Sequence, residues 1–458
     1  MSERLTENKM GVMPVGKLLF NMALPMVISM LVQALYNVVD SIYISRVSEN
    51  AVTALSLAFP IQNLQIGCAV GIGVGVNALL SKSLGERNQK MTNLAAGNGV
   101  FLAIVCMIAF MIFGFVGVRP YYEMQNTSAA TAEAGIAYSS ICCIFTLGAF
   151  LAILFERLLQ ATGRTVHTMI TQSAGAITNI VMDPVFIFGV EWLGIPAMGA
   201  AGAAVATVLG QFVSAGLAIL FNFKFNPDVK LGLRFVRPKA VAIRPILAVG
   251  VPAAIMNGIG SVTNFTMNQI LLGFKAVGET ASGVFGIYFK LQSFFFMPLF
   301  GLNNASISII AYNYGARKPE RIMKTLKIAF CGALTFMLCG FAVFQIAPDL
   351  LLNMFNPSES FMEIGCNALR RISIHFPVAA FCIVLISSFQ ALGNGLYSTL
   401  VSLCRQLIAL LPAAYLLSLT GNVHNVWWAF GIAEIVSGTV CALLFLRIYK
   451  LKIRPLFQ

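Results

Sequence analysis

Charge is what this chain has least of. Only 10% of its 458 residues are charged, against about a quarter in an ordinary soluble domain, and just 17 are acidic. With 58% hydrophobic residues and a mean hydropathy of +0.83, it cannot build a water-facing surface of the usual kind. Polar connections are scarce too. The longest, about 223–245, is too short for a soluble domain, so any chemistry must take place within or across a bilayer. The ten cysteines include no CxxC and no metal-like spacing with histidine, which leaves them as small buried hydrophobes. His167, His375 and His424 are too scattered for a metal site, although His375, set in an apolar run, can titrate.

Long apolar runs fill the space. Twelve of them, roughly 18–45, 52–80, 93–118, 134–158, 166–189, 197–222, 246–273, 282–311, 325–347, 370–392, 396–419 and 425–446, are long enough to cross the hydrocarbon core as helices. The first is too long for the core of a cleavable signal peptide and no small-residue cleavage site follows it, so it is expected to be the first span. If both termini are cytoplasmic, 23 lysines and arginines, beginning with Arg4, Lys9 and Lys17, fall on the inner side. Five, Arg46, Arg119, Lys275, Arg370 and Arg371, fall outside, and Lys290 and Arg405 lie within spans. That imbalance obeys the positive-inside rule. The net charge of +13 therefore reflects topology and contact with anionic membrane lipids, not nucleic-acid binding.

The chain also repeats itself. LLSKSLGERNQK (79–90) matches IIAYNYGARKPE (309–320), and LLQATGR (158–164) matches SFQALGN (388–394), both at an offset of 230. Two matches at one offset and one topological place predict two six-span lobes, 17–222 and 246–450. A cytoplasmic segment 1–16, a basic linker 223–245 and a tail 451–458 complete the division. Six is even, so the lobes share one orientation, as in parallel-repeat transporters that alternate access to a cleft.

Three acids lie well inside spans: Asp40, Asp183 and Glu434. An ionised carboxylate at that depth costs several kcal/mol and is functional by default. Asp40 and Asp183 each sit six residues before the outer end of their spans, about 9 Å down at 1.5 Å per residue, which makes a shared site plausible. Two nearby carboxylates in a low dielectric resist joint ionisation, and the same pair attracts a cationic substrate. Around them, Tyr36 and Asn37 precede Asp40, Asn179 lies one turn before Asp183, and Thr207 is a weaker candidate in the sixth span. Pro184 predicts a kink that frees the carbonyl of Ile180.

The second lobe has Met267 and Ala413 where the first has Asp40 and Asp183. It carries Asn257, Asn264 and Asn268 on one helical face, suited equally to lining a cavity and to joining helices. Lys290 and Glu434, at similar depth, are expected to pair as a structural ion pair, with a substrate or coupling role second. Met267, Met297 and Phe294 suit an adaptable cavity wall. Glu156 and Arg157, near the inner end of the fourth span, are expected to reach the interface.

Several of these stretches resemble one family. YNVVDSIYIS (36–45), QATGRT (160–165), NIVMDPVFIF (179–188), GAAGAAVATVLGQ (199–211) and FKLQSFFFMPLFGLNNASISIIAYNYGA (289–316) look like the multidrug and toxic compound extrusion (MATE) transporters, in particular their bacterial DinF-like and MepA-like branch. The resemblance implies an all-α integral membrane protein of twelve helices in two pseudo-symmetric lobes around a central cleft. It also implies export of organic cations against an inward proton or sodium gradient. The family's first-span aspartate falls on Asp40, its fifth-span asparagine and aspartate on Asn179 and Asp183, and its sixth-span threonine on Thr207. Acids typical of the sodium-coupled branch in the seventh and tenth spans are missing from this sequence, which favours protons, with sodium at Asp40 and Asp183 the remaining alternative.

The expected function is a monomeric, proton-coupled multidrug antiporter of the bacterial inner membrane, with both termini cytoplasmic, no cofactor and no catalytic residue. A lipid-linked oligosaccharide flippase of the same superfamily is the alternative. An intramembrane aspartyl protease is remote, because Asp183 sits in VMDP rather than GxGD.

Overall fold

The computed structural model describes residues 8–125, 127–190, 194–275, 277–355 and 358–457, without the side chains of Ser45, Glu49 and Leu233. Arg4 and the start of the expected N-terminal segment lie outside the described residues. Among the described residues, nine single helical runs are long and apolar enough to cross a membrane. They are Val15–Ser45, Glu49–Gly85, Gln89–Val116, Ala200–Phe225, Ala240–Leu272, Gly278–Gly315, Pro319–Ile346, Gly395–Ser418 and Val423–Phe457. Two more spans are broken, Ala129–Ile144 with Leu147–Ala161 and Glu359–Ser373 with Phe376–Ala391, each bent by 47°. Thr165–Ile187 completes twelve as the fifth in order. It is less apolar than the other spans because it carries His167, Gln172, Asn179, Asp183 and four threonines, of which Thr165, Thr168, Thr171, Asn179 and Asp183 are buried. Spans are numbered one to twelve in chain order, and the lysine- and arginine-rich end of the bundle is called the inner end.

Prolines 25, 60, 184, 245, 252 and 298 lie inside helices without ending them. Packing against neighbouring helices makes such interruptions tolerable at membrane depth. Side-chain caps start several helices: the Ser48 hydroxyl accepts from Ala51 N, Asn88 from Met91 N, Ser128 from Thr131 N and Ser358 from Phe361 N. The linker lies on the inner end of the third span. Asn93 accepts from Lys230 N, Asn98 accepts from Lys239 N, and Asn98 Nδ2 donates to the carbonyl of Phe235.

The repeat is visible atom by atom. Arg87 and Arg317, 230 apart, both adopt positive φ, 57° and 53°, in matching turns closed by Asn88 N to Ser83 O and Lys318 N to Asn313 O, each 2.9 Å. Gly163 and Gly393 do likewise at 82° and 76°. Their turns are closed by Arg164 N to Leu159 O and Asn394 N to Phe389 O. The bent spans and the capping serines 128 and 358 repeat at the same offset.

Small residues set the seam between lobes. A Cβ on Gly85 would lie 2.0 Å from the carbonyl oxygen of Tyr312, and one on Gly315 would lie 2.0 Å from that of Lys82. The second span meets the seventh through Gly71 and Gly75, pressed on the backbone of Gly250 and Ile246, and the eighth meets the first through Gly301 on Val27. Such close approach is the small-residue packing of membrane helices. Polar bridges join it: Asn63 to Ser261 (2.7 Å), Ser308 to Asn77 (3.0 Å) and Arg157 to Asn304 (2.8 Å).

Candidate functional site

Glycine also builds the polar centre of the first lobe. Gly175 in the fifth span and Gly210 in the sixth face each other so closely that a Cβ on either would come within 3 Å of the other's carbonyl oxygen (2.9 and 2.6 Å). One turn outward, that approach lets Asn179 Nδ2 donate to both Asp183 Oδ1 and Thr207 Oγ1, each at 3.3 Å. Asp183 is wholly buried and Asn179 nearly so. The first span is clasped to the fifth at the outer end, where Tyr43 and Phe188 meet edge to face at 6.3 Å. Asp40, one turn inside Tyr43, is thereby close enough to Asp183 for their charges to interact, with Tyr36 beside both.

Three acceptors in this group have no donor among the described residues. Asp40 Oδ1, Asp183 Oδ2 and Asn179 Oδ1 are all buried without a hydrogen-bond partner. Buried oxygens of this kind call for a proton or a hard cation. Asn37 is not among them: it is exposed, and its carbonyl accepts from Ser41. Pro184 lies inside the helix beside Asp183, and its own carbonyl accepts from Phe188 N.

Facing the site from the second and fourth spans is a set of polar residues that spacing from the two aspartates does not single out. Gln62 donates to the Tyr138 hydroxyl (2.8 Å), which lies near Asp40, and Gln65 bonds Thr146 and the carbonyl of Cys142. Their signal is present in PIQNLQIG (60–67), where three amides interrupt an apolar run directly after a proline.

The inner half of the lobe corrects the expectation for Glu156 and Arg157. Both are buried. Glu156 accepts from Thr171 (3.1 Å), Ser214 (2.8 Å) and Gln172 (2.8 Å), so its carboxyl oxygens are satisfied within the bundle and do not reach water. Arg157 turns the other way, to Gln160 (2.9 Å) and across the seam to Asn304. The three-residue spacing of Thr165, Thr168 and Thr171 is the sequence signal of this hydroxyl-bearing face.

In the second lobe the expected Lys290–Glu434 pair does not form. Glu434 is buried opposite Arg405 at 3.9 Å, while Lys290 is exposed on another side of the eighth span. Depth along a helix fixes height but not direction, and the two residues point apart. Arg405 reaches Glu434 from a π-helical segment, Cys404–Leu410, whose extra residue per turn re-aims side chains. Met267 is wholly buried in the core, Met297 is half-buried and Phe294 exposed. Asn264 and Asn268 bond along their own helix, and Asn268 accepts from Ser282 (2.7 Å), which is the helix-joining role. Asn257 lies at the seam, its Cβ facing Gly67. His375 is buried against Phe296, Phe376 and Phe430, its Nδ1 on the carbonyl of Ile372. Cys331 and Cys339 are exposed, unlike the buried Cys142, Cys143, Cys382 and Cys441, because they lie on the outward side of the ninth span.

Known proteins share this arrangement. The chain is 24% identical over 439 residues to multidrug export protein MepA of Staphylococcus aureus, across 94% of this chain and 92% of that protein. It is 23% identical over 436 residues to the FAD transporter of Shewanella oneidensis, across 95% of each. An outward-facing multidrug resistance transporter of the MATE family has the same fold, with a TM-score of 0.90 at 23% identity over 99% of both chains. So does a MOP superfamily transporter from Pyrococcus furiosus, with a TM-score of 0.90 at 23% identity over the full length of both. The MatE family model matches residues 25–185 and again 252–416, one copy in each lobe. With both halves so matched and two lobes of six membrane helices, the chain belongs to the MATE family of transporters.

Proposed function

We propose that this chain is a secondary antiporter that expels amphipathic, mostly cationic organic compounds in exchange for protons, with Asp40 and Asp183 as the exchanging groups. The observation that carries the reading is the group of three buried, unpartnered oxygens on Asp40, Asp183 and Asn179 in one lobe. A proton held by one carboxylate removes a charge from the lobe, and its loss restores an anionic site for a cationic substrate. If proton and substrate exclude each other, the inward proton gradient drives export. The oxygen set also suits sodium, with Asp40, Asp183, Asn179 and Thr207 as its holders, so coupling to sodium is the second arm of the test. The relative named as a multidrug exporter supports the substrate class, and the one named as an FAD transporter widens it to aromatic compounds bearing phosphate. The positive-inside pattern supports the bacterial inner membrane with both termini cytoplasmic.

The test is ethidium efflux from proteoliposomes under separately imposed proton and sodium gradients. Efflux driven by the proton gradient, and lost in both Asp40→Asn and Asp183→Asn, is the expected result. Undiminished efflux in both variants overturns the exchange, and efflux driven by sodium alone replaces the coupling ion.

A further inference from the structure

Lys290 has no role in the exchange just proposed, and its surroundings are unusual. It lies twelve residues from the outer end of the eighth span, Gly278–Gly315, or about 18 Å at 1.5 Å per residue. It is exposed, and among the described residues no acid pairs with it. A lysine at membrane depth is costly, so it faces a watery cavity or a partner.

The helix itself tells which way Lys290 faces. Counting about 100° per residue, Phe294, Met297, Gly301, Asn304, Ser308 and Gly315 all fall within about 40° of its direction. The inner four of these touch the first lobe. Gly301 meets Val27, Asn304 takes a hydrogen bond from Arg157, Ser308 donates to Asn77, and Gly315 meets Lys82. Toward the outer end of the same stripe, Met297 is half-buried, Phe294 is 57% exposed and Lys290 is exposed. Outward of Gly301 this face of the eighth span becomes exposed, although the second and seventh spans stay joined by Asn63 and Ser261, and it carries a cation one turn from an exposed aromatic ring. Across the cleft, the acids Asp40 and Asp183 belong to the other lobe.

We propose that Lys290, with Phe294 beside it, is a substrate subsite of the cleft that accepts the anionic group, carboxylate or phosphate, of an amphipathic aromatic compound. This rests on the transporter reading and deepens it: one lobe would suit cations and the other would admit acids. An ammonium is a compact donor of three hydrogen bonds, and a ring one turn away stacks on the aromatic body that carries the acid. Lys290→Arg keeps the charge; Lys290→Met keeps the stem without it.

Export of fluorescein, an aromatic carboxylate, is compared with that of ethidium in proteoliposomes of neutral phosphatidylcholine. The comparison is repeated with phosphatidylglycerol added. Wild type is expected to export both dyes. Lys290→Met is expected to lower the ratio of fluorescein to ethidium export on the order of tenfold or more, as for loss of a charge-assisted hydrogen bond, and Lys290→Arg to restore it. A ratio unmoved by Lys290→Met overturns the subsite, as does ethidium export by wild type with no fluorescein export. If Lys290 instead governs only a response to phosphatidylglycerol, the group is a lipid-headgroup contact and the substrate role falls. Absence of export of either dye from wild type overturns the transporter reading along with it.

Discussion

The two lobes share a backbone and differ in chemistry. Turns, caps and bends recur at an offset of 230, down to the positive φ of Arg87 and Arg317. Yet Asp183 is answered by Ala413, and Glu156 by Ile386. The first lobe packs small residues such as Ala203, Ala204 and Ala206 around its polar groups. The second fills its core with Phe285, Tyr288, Phe344, Phe376 and Phe389. Duplication preserved what fixes helix direction and released what fills the interior. On the proposed exchange, the first lobe is the one that changes charge, and the second packs its core with large aromatic side chains.

The comparison can be broken most sharply by moving the carboxylate. Asp183→Asn is expected to reduce proton-driven ethidium efflux on the order of a hundredfold, the scale on which positioned proton carriers act. Adding Ala413→Asp to that variant should fail to restore it, because Ala409 stands where the first lobe has Asn179; recovery would make the lobes interchangeable. The symmetric seam comes next. Gly85→Val and Gly315→Val each push a side chain into a backbone carbonyl and should each cost roughly 3 kcal/mol, equally, in thermal unfolding of the detergent-solubilised protein. Unequal losses would show that the pseudo-axis does not govern the seam.

A smaller contrast lies in the inner halves. Glu156→Ala leaves Thr171, Gln172 and Ser214 without their acceptor and should destabilise by roughly 2 kcal/mol. Ile386→Val, its mirror, should cost about 1 kcal/mol by the same unfolding measurement. The smallest pair is Ser128→Ala and Ser358→Ala, each removing one helix cap for about 1 kcal/mol or less. Equal shifts in melting temperature sharpen the picture of one repeated scaffold.

Much of the fold was legible because membranes make it so: an apolar run long enough to cross has little choice but helix. The repeat was readable from Gly85, Gly163 and their partners, where backbone conformation or close approach restricts the residue. The grouping of Asn179, Asp183 and Thr207 was legible from helical spacing within the fifth span and from the family resemblance. Direction around a helix was harder. Lys290 and Glu434 agree in depth, but their azimuths are set by tertiary packing and by a π-helical turn that leaves no plain mark in sequence. Asn37 erred for the same reason, since being next to Tyr36 in sequence turns it about 100° away. Glu156 erred differently: the hydroxyls that satisfy it come from two other spans, and hydroxyls in an apolar run look neutral until something needs them.

The crossing of Gly85 and Gly315 has a mechanical consequence. Helices that interlock by ridges and grooves must climb over side chains to change their crossing angle. At this crossing each glycine admits the other helix's backbone, while Lys82 lies over the Tyr314 ring beside it at 5.6 Å. Lys290 lies twenty-five residues along the same helix, about 37 Å away, and the Ser308–Asn77 and Asn304–Arg157 bonds between them tie the inner part of that helix to the first lobe.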